Sequence, residues 1–195
     1  MLFLVLLVSV FIPASSTGKL HPIFARANVH FDASESVMGT LYFIQARDVS
    51  PVIIRGTLTG LEPNQTYHGF HVHEFEVNEG KPNCTAAGGH FNPSNQRHGA
   101  PTASLTQRHV GDLGNIYADQ YGNATILISD PIIKLAKGSQ SILNHTIVIH
   151  KDVDDLGLGS YSDSLTTGHA GARLGCGFIR STSMTIPDAF KIFLS

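Results

Sequence analysis

The chain has 195 residues, 42% of them hydrophobic, with a formal net charge of −2 and a pI near 6.6. That length and apolar content suit one domain with a single substantial core, and the near-neutral charge removes the electrostatic footing for nucleic acid or an anionic membrane surface. Histidine is the outlier: there are 11 against 13 Lys and Arg together, most of them between His68 and His150, a crowding that suggests metal once spacing organises it.

Residues 1–16, MLFLVLLVSVFIPASS, pair an apolar run from Leu2 to Pro13 with small residues at Ala14 to Ser16, the pattern of a secretory signal peptide. The run falls short of the ~20 residues a membrane-spanning helix needs, and no basic residue precedes it, so cleavage is preferred to a signal anchor and no stable membrane association is expected. The mature protein is then secreted and extracellular. A short N-terminal extension, 17–24, leads to the domain proper, 25–180.

Ala25, Ala27, Val29 and Phe31 alternate with Arg26, Asn28 and His30, the period of a half-buried strand. Further β-rich runs occupy Met38–Gln45, Val52–Thr59, Thr66–Phe75, Ala124–Ser129, His145–His150 and Arg173–Arg180, divided by Gly, Asn, Asp, Ser and Pro. No amphipathic helix of useful length is evident. Many short strands with turn signals between them predict an all-β antiparallel barrel or flattened sandwich. Two intervals, Glu76 to Arg108 and Lys151 to Ala172, are too long for hairpins, and compact domains keep such loops for a function or under a constraint. The tail 181–195 forms a C-terminal extension with one lysine and no basic run; its Phe190, Ile192, Phe193 and Leu194 suit packing on the barrel or on an interface, and the sequence leaves both open.

In Gly69-Phe-His-Val-His-Glu-Phe75, alternation puts His71 and His73 on one face and Phe70 and Val72 on the other. The stretch His145 to His150 repeats this, with Ile147 and Ile149 inward and His150 outward. Downstream come His90 in GGHFNP, His98 in His-Gly, and His109 with Asp112 in HVGDLGN. Imidazole suits copper and zinc alike, and zinc accepts a carboxylate beside it; Asp112-Leu-Gly also reads as a turn. The two cysteines, Cys84 and Cys176, are an even pair in an exported chain. Sequons at Asn64, Asn83, Asn123 and Asn144 are candidate N-glycosylation sites, and at least two of them are expected to be used.

Together the motifs GFHVHEF, GGHFNP, RHVGDLGN, DDLG and AGARLGCG, in that order across roughly Ala25 to Arg180, make the chain resemble the copper/zinc superoxide dismutase family. The resemblance implies an eight-stranded Greek-key barrel with two long functional loops. It also implies an oxidoreductase that converts superoxide to dioxygen and hydrogen peroxide with one copper and one zinc ion per subunit. Residue by residue, it implies copper held by His71, His73, His90 and His150, and zinc held by His90, His98, His109 and Asp112, with His90 shared and acting in proton storage. Asp154 matches the carboxylate that links a copper ligand to a zinc ligand, Arg173 the anion-docking arginine, and Cys84 with Cys176 the intrasubunit disulfide.

Three features depart from the family pattern. Thr166 stands where many relatives carry a lysine that attracts superoxide, although Asp163 keeps one acidic position of that loop. The segment between Phe75 and Cys84 is longer than the common form, in a loop that makes the family's dimer contact. Asn144 occupies a place where relatives have a small residue in that contact. A glycan on Asn83 or Asn144 would obstruct it, because hydrated sugar is not buried in an apolar patch. A homodimer is thus left open, and a monomer or a different dimer is the expectation.

Overall fold

The computed structural model describes residues 22–64 and 66–184. The signal-peptide reading, most of the N-terminal extension and residues 185–195 lie outside the described residues.

The chain forms β1 (Ile23–Phe31), β2 (Val37–Gln45), β3 (Val52–Leu58), β4 (Thr66–His73), β5 (Asp112–Ala118), β6 (Ala124–Asp130), β7 (Thr146–His150), β8 (Arg173–Phe178) and a two-residue β9 (Arg180–Ser181). Eight of them run antiparallel in the order β5-β4-β7-β8-β1-β2-β3-β6, and β9 pairs with β1. Crossing from β3 to β4 and from β6 to β7 skips neighbours in the sheet, which is the Greek-key connection. The sheet curls until β5 and β6 approach across the seam, so the barrel is nearly closed. The start of the C-terminal extension packs on the barrel, with Ala25 opposite Ser181 and the Thr182 amide donating to Phe24 O at 3.0 Å.

Alternation fills the interior. Ala25, Ala27 and Val29 of β1, Leu41 and Phe43 of β2, Val52, Ile54 and Leu58 of β3, Phe70 and Val72 of β4, and Ile147 and Ile149 of β7 are all buried in one core. Between them Arg26 and Asn28 of β1, Thr40 and Tyr42 of β2, and Ile53, Arg55 and Thr57 of β3 are at least partly exposed, as expected for a largely one-sided sheet. On β4, β7 and β8 the outer face is buried too, at His71, His73, Val148, His150 and Cys176. The loops 74–111 and 151–172 lie over it, and a second small apolar cluster of Val77, Cys84, Ala87, Val148 and Cys176 forms beneath the first of them.

Two details of the sequence reading change. The strand β5 was not expected, and it begins at a residue read as a turn. Its Gly114 adopts φ 78° and the pairing with β4 slips between Gly69 and His71, so a bulge breaks the two-residue period there. His150 does point away from the barrel core, but the overlying loop leaves it only 4% exposed.

Candidate metal centre

Two groups of four buried side chains meet on the outer face of β4 and β7. The first is His71, His73, His90 and His150; the second is His90, His98, His109 and Asp112; within each group the donor atoms lie within 4.8 Å of one another. The strands β4 and β7 supply His71, His73 and His150, β5 begins with Asp112, and the loop between β4 and β5 supplies His90, His98 and His109. Gly69 lets the second long loop come down on this face, because a Cβ there would lie 2.8 Å from the Ala170 Cβ.

Hydrogen bonds fix which nitrogen of each ring is free. His73 Nδ1–H donates to Gly88 O at 2.9 Å and His150 Nδ1–H donates to Gly171 O at 3.2 Å. A carbonyl only accepts, so the Nε2 of both rings is left as a bare lone pair, and these two nitrogens face each other at 3.1 Å. Asp154 receives His71 Nε2–H at 2.9 Å and His98 Nε2–H at 2.7 Å, one on each oxygen. Among the described residues, three buried ring atoms, His71 Nδ1, His90 Nε2 and His98 Nδ1, have no partner in hydrogen-bonding geometry, although the last lies 3.0 Å from an oxygen of Asp112. Buried polar atoms are seldom left so, and lone pairs aimed at one another are accommodated by a cation between them.

In the second group the Asp112 Oδ1 lies 2.8 Å from His90 Nδ1, 3.0 Å from His98 Nδ1 and 3.0 Å from His109 Nδ1, and the last is 3.4 Å from His90 Nδ1. A tetrahedral zinc with bonds of about 2.0–2.1 Å has donor–donor edges of about 3.3 Å, so this set has the size of a zinc site. Four imidazoles without a carboxylate suit copper. His90 turns Nδ1 to the second group and the partnerless Nε2 to the first.

Electrostatics set His98 apart from the rings of the first group. Burial, followed by repulsion from neighbouring imidazoles, lowers His71 and His73 far below the ordinary histidine value, and burial likewise lowers His150 to about 4. Burial lowers His90 as well, with Asp112 opposing. Burial also acts downward on His98, but the carboxylates of Asp112 and Asp154 outweigh it and raise this ring to about 9. Desolvation would raise Asp112, yet its contacts with His109, His90 and His98 hold it well below the carboxylate range.

For the metal-free chain these shifts act in opposite directions with pH. His98 lies above its unfolded value, so its contribution is complete below about pH 6.5 and is lost as pH rises through about 9. His71, His73 and His150 lie below theirs, so stability is complete above about pH 6.5 and is lost as pH falls, through about 4 for His150. The chelator-treated protein is expected to show its highest Tm near pH 6.5. A Tm that climbs steadily from about pH 6 to about 9 would contradict the His98 assignment.

Arg173 starts β8 directly opposite His150 in the ladder. Its NH1 donates to the carbonyls of Cys84 and Thr85 and its NH2 to that of Gly88, all in or beside the short 3₁₀ turn Cys84–Ala87. Cys84 is joined to Cys176 of β8 by a disulfide, so the carbonyl shelf and the arginine are tied to the same strand. Among the described residues, the Nε–H and one NH2 hydrogen of Arg173 have no protein acceptor.

Several supporting groups were not singled out from the sequence. Asn115 grips Asp154 from both sides, donating to its carbonyl at 2.9 Å and accepting from its amide at 2.8 Å. His68, fully buried, donates Nδ1–H to the carbonyl of His150 at 2.9 Å. Asn115 lies within the GDLGN motif and so was within reach of sequence reasoning. The carbonyls of Gly88 and Gly171 carry no residue-type signal.

A profile of the family described as copper/zinc superoxide dismutase (SODC) matches residues 37–179. The chain is 48% identical over 146 residues to a Cu-Zn superoxide dismutase of Candida albicans, covering 75% of this chain and 91% of that protein. It is 47% identical over 147 residues to one of Yarrowia lipolytica, covering 75% and 92%. Against one of Paramecium bursaria Chlorella virus 1 it is 42% identical over 179 residues, covering 91% and 89%.

The chain belongs to the copper/zinc superoxide dismutase family. It is therefore an oxidoreductase acting on superoxide, with one copper and one zinc ion as its metals. The two groups of donors meeting at His90 fit that pair of ions in number, size and donor type.

Proposed function

We propose that the protein is a secreted, extracellular superoxide dismutase in which His71, His73, His90 and His150 hold copper and His90, His98, His109 and Asp112 hold zinc. The observation that carries the ligand assignment is the set of bare ring nitrogens: every imidazole of the two groups whose outer nitrogen is bonded turns the other one inward, and His90 offers one to each side. Asp154 orients a ligand of each ion, which fixes tautomer and ring angle.

Copper, when bound, supplies one-electron chemistry in both directions, and zinc a fixed positive charge beside it. The chain contributes position and protons. The guanidinium of Arg173 stays charged at any working pH, and its two unengaged N–H groups receive the oxygens of a small anion beside His150. One superoxide gives up an electron and leaves as dioxygen. The second gains one and takes two protons to become hydrogen peroxide; His90 Nε2, buried and without a protein partner among the described residues, would carry one of these protons only in the state in which its lone pair is not engaged by copper, and would give it up on binding the ion again.

Steering of superoxide is proposed to be weak. Thr166 is exposed on the loop where a lysine would attract the anion, and Asp163 is paired with His169 at 2.8 Å. The rate is expected to fall less steeply with ionic strength than in a lysine-bearing relative. Initial rates over a salt series measure this, and a steep decline would remove the proposal.

A monomer or an unfamiliar dimer is proposed for the assembly. Asn83 and Asn144 are both exposed, so either accepts a glycan without disturbing the core. Next to Asn144, whose amide donates to Ile179 O, Arg180 lies over the Phe178 ring at 5.1 Å and pairs with Glu79 of the long loop at 2.8 Å. Export rests on the pattern of residues 1–16 and on the sequons. Sedimentation of native secreted material is expected to give a monomer, or a dimer built on another face, with glycan at Asn144 or Asn83. The family's usual compact dimer with Asn144 glycosylated would overturn it.

The alternative for the site is copper storage without turnover. Metal analysis and a superoxide-consumption assay on one purified sample separate the readings: both metals with rapid consumption support the enzyme, and both metals without it mean storage.

A further inference from the structure

The loop 151–172 touches both halves of the metal centre through its backbone. The carbonyl of Leu165, in the one-turn helix α1 (Ser164–Thr167), accepts from the His98 amide at 2.9 Å, and the carbonyl of Gly168 accepts from the Asp155 amide at 2.8 Å. Gly168, at φ 65°, lies so close to the centre that a Cβ would overlap the Asp154 carboxylate and reach the His98 ring. Three residues later the carbonyl of Gly171 receives His150 Nδ1–H. A four-residue helix has little stability of its own, so something else must hold this segment down.

On its outer side the two ends of α1 are joined. The rings of Tyr161 and His169 stack with centroids 3.6 Å apart and planes 5° from parallel. The same imidazole donates Nδ1–H to Asp163 Oδ1 at 2.8 Å, and Thr167 Oγ1 adds a bond to the other carboxylate oxygen at 3.3 Å. His169 adopts φ 52° between the left-handed glycines Gly168 and Gly171. A side chain in that region is uncommon, and here it is the one that makes both outer contacts. Asp163 is held below the usual carboxylate range, chiefly by its hydrogen bond from His169.

We propose that Tyr161, Asp163 and His169 form a clasp that holds α1 against the His98–Asp154 pair and thereby sets how long the His98 side of the centre keeps its metal. The three are positioning residues, acting through the backbone of Leu165 and Gly168. An exposed ion pair alone contributes little, but stack and pair share one ring and span the whole helix, so they release together. Local opening of such a loop is the route by which a buried ligand becomes accessible. The proposal rests on the zinc assignment above.

The test uses the full-length protein loaded with both metals and follows zinc loss to an excess of chelator. His169→Gly gives the backbone its preferred residue but removes both outer contacts. It is expected to speed zinc release about three- to thirtyfold, the scale of an aromatic stack plus an exposed ion pair. Tyr161→Phe keeps the stack and is expected to match the unsubstituted protein, whereas Tyr161→Ser follows His169→Gly. In the metal-free chain, His169→Gly is expected to speed hydrogen exchange at the Thr167 and Gly168 amides, which bond to Asp163 O and Ser164 O. Normal zinc uptake with unchanged release in His169→Gly overturns the clasp alone. Failure of the unsubstituted protein to bind zinc overturns the ligand reading and the clasp with it.

Discussion

Replacing Arg173 with alanine is expected to lower kcat/KM for superoxide about a hundredfold, the low end of what loss of one preorganised donor costs, with copper and zinc content unchanged. Arg173 is no metal ligand in the proposed site, yet the antiparallel ladder sets it opposite His150. Three backbone carbonyls occupy one edge of its guanidinium, so the group is fixed before substrate arrives. Pre-set donors cost no reorganisation during the reaction, which is why they outperform a mobile charge. Arg173→Lys should fall between the two, since it keeps the charge and loses the paired N–H geometry. Superoxide consumption per bound copper measures both variants. Unaltered consumption in Arg173→Ala would end the docking role.

Much of this architecture is legible in the chain because residue type and period agree. On β4, Phe70 and Val72 face one way and His71 and His73 the other, so a single strand announces both core and site. The strand β5 was hidden for a physical reason. Asp112, Gly114 and Asn115 carry turn chemistry, and the left-handed Gly114 makes a bulge that cancels alternation until Ile116. That bulge is also what lets Asp112 reach the histidine cluster and Asn115 reach Asp154, so the least strand-like residues of β5 are the ones that face it. The acceptors on Gly88, Gly171 and Leu165 were beyond any sequence reading, because every residue has a carbonyl and only the fold selects which one faces a ring.

The His169 clasp shows the same limit from the other side. Tyr161, Asp163 and His169 are spaced without helical or strand period in a stretch rich in Ser, Thr and Gly. Only the left-handed turn at Gly168 and His169 brings the two rings face to face. A motif reading treats that stretch by its charges, as an acidic Asp163 beside an uncharged Thr166. In the fold, Asp163 is engaged by His169, so its charge is partly spent on holding the loop.

Removal of the disulfide by Cys84→Ser with Cys176→Ser is expected to have the largest effect on stability and a separate effect on turnover. The bond closes a loop with a sequence separation of 92, for which the chain-entropy relation gives about 4–5 kcal/mol of denatured-state restriction. Denaturant unfolding of the metal-free chain measures this loss without the added stabilisation that bound metal confers. The second effect follows from the shelf. Cys84 contributes one of the carbonyls that hold Arg173, and Cys84, Cys176, Val77, Ala87 and Val148 pack together beneath the loop. Freed from β8, the 3₁₀ turn no longer fixes the guanidinium, so kcat/KM should fall at temperatures well below Tm, by less than in Arg173→Ala because the charge remains. If consumption per copper stays unchanged while stability drops, the apolar cluster alone holds the shelf, and the disulfide acts on the unfolded chain rather than on the site.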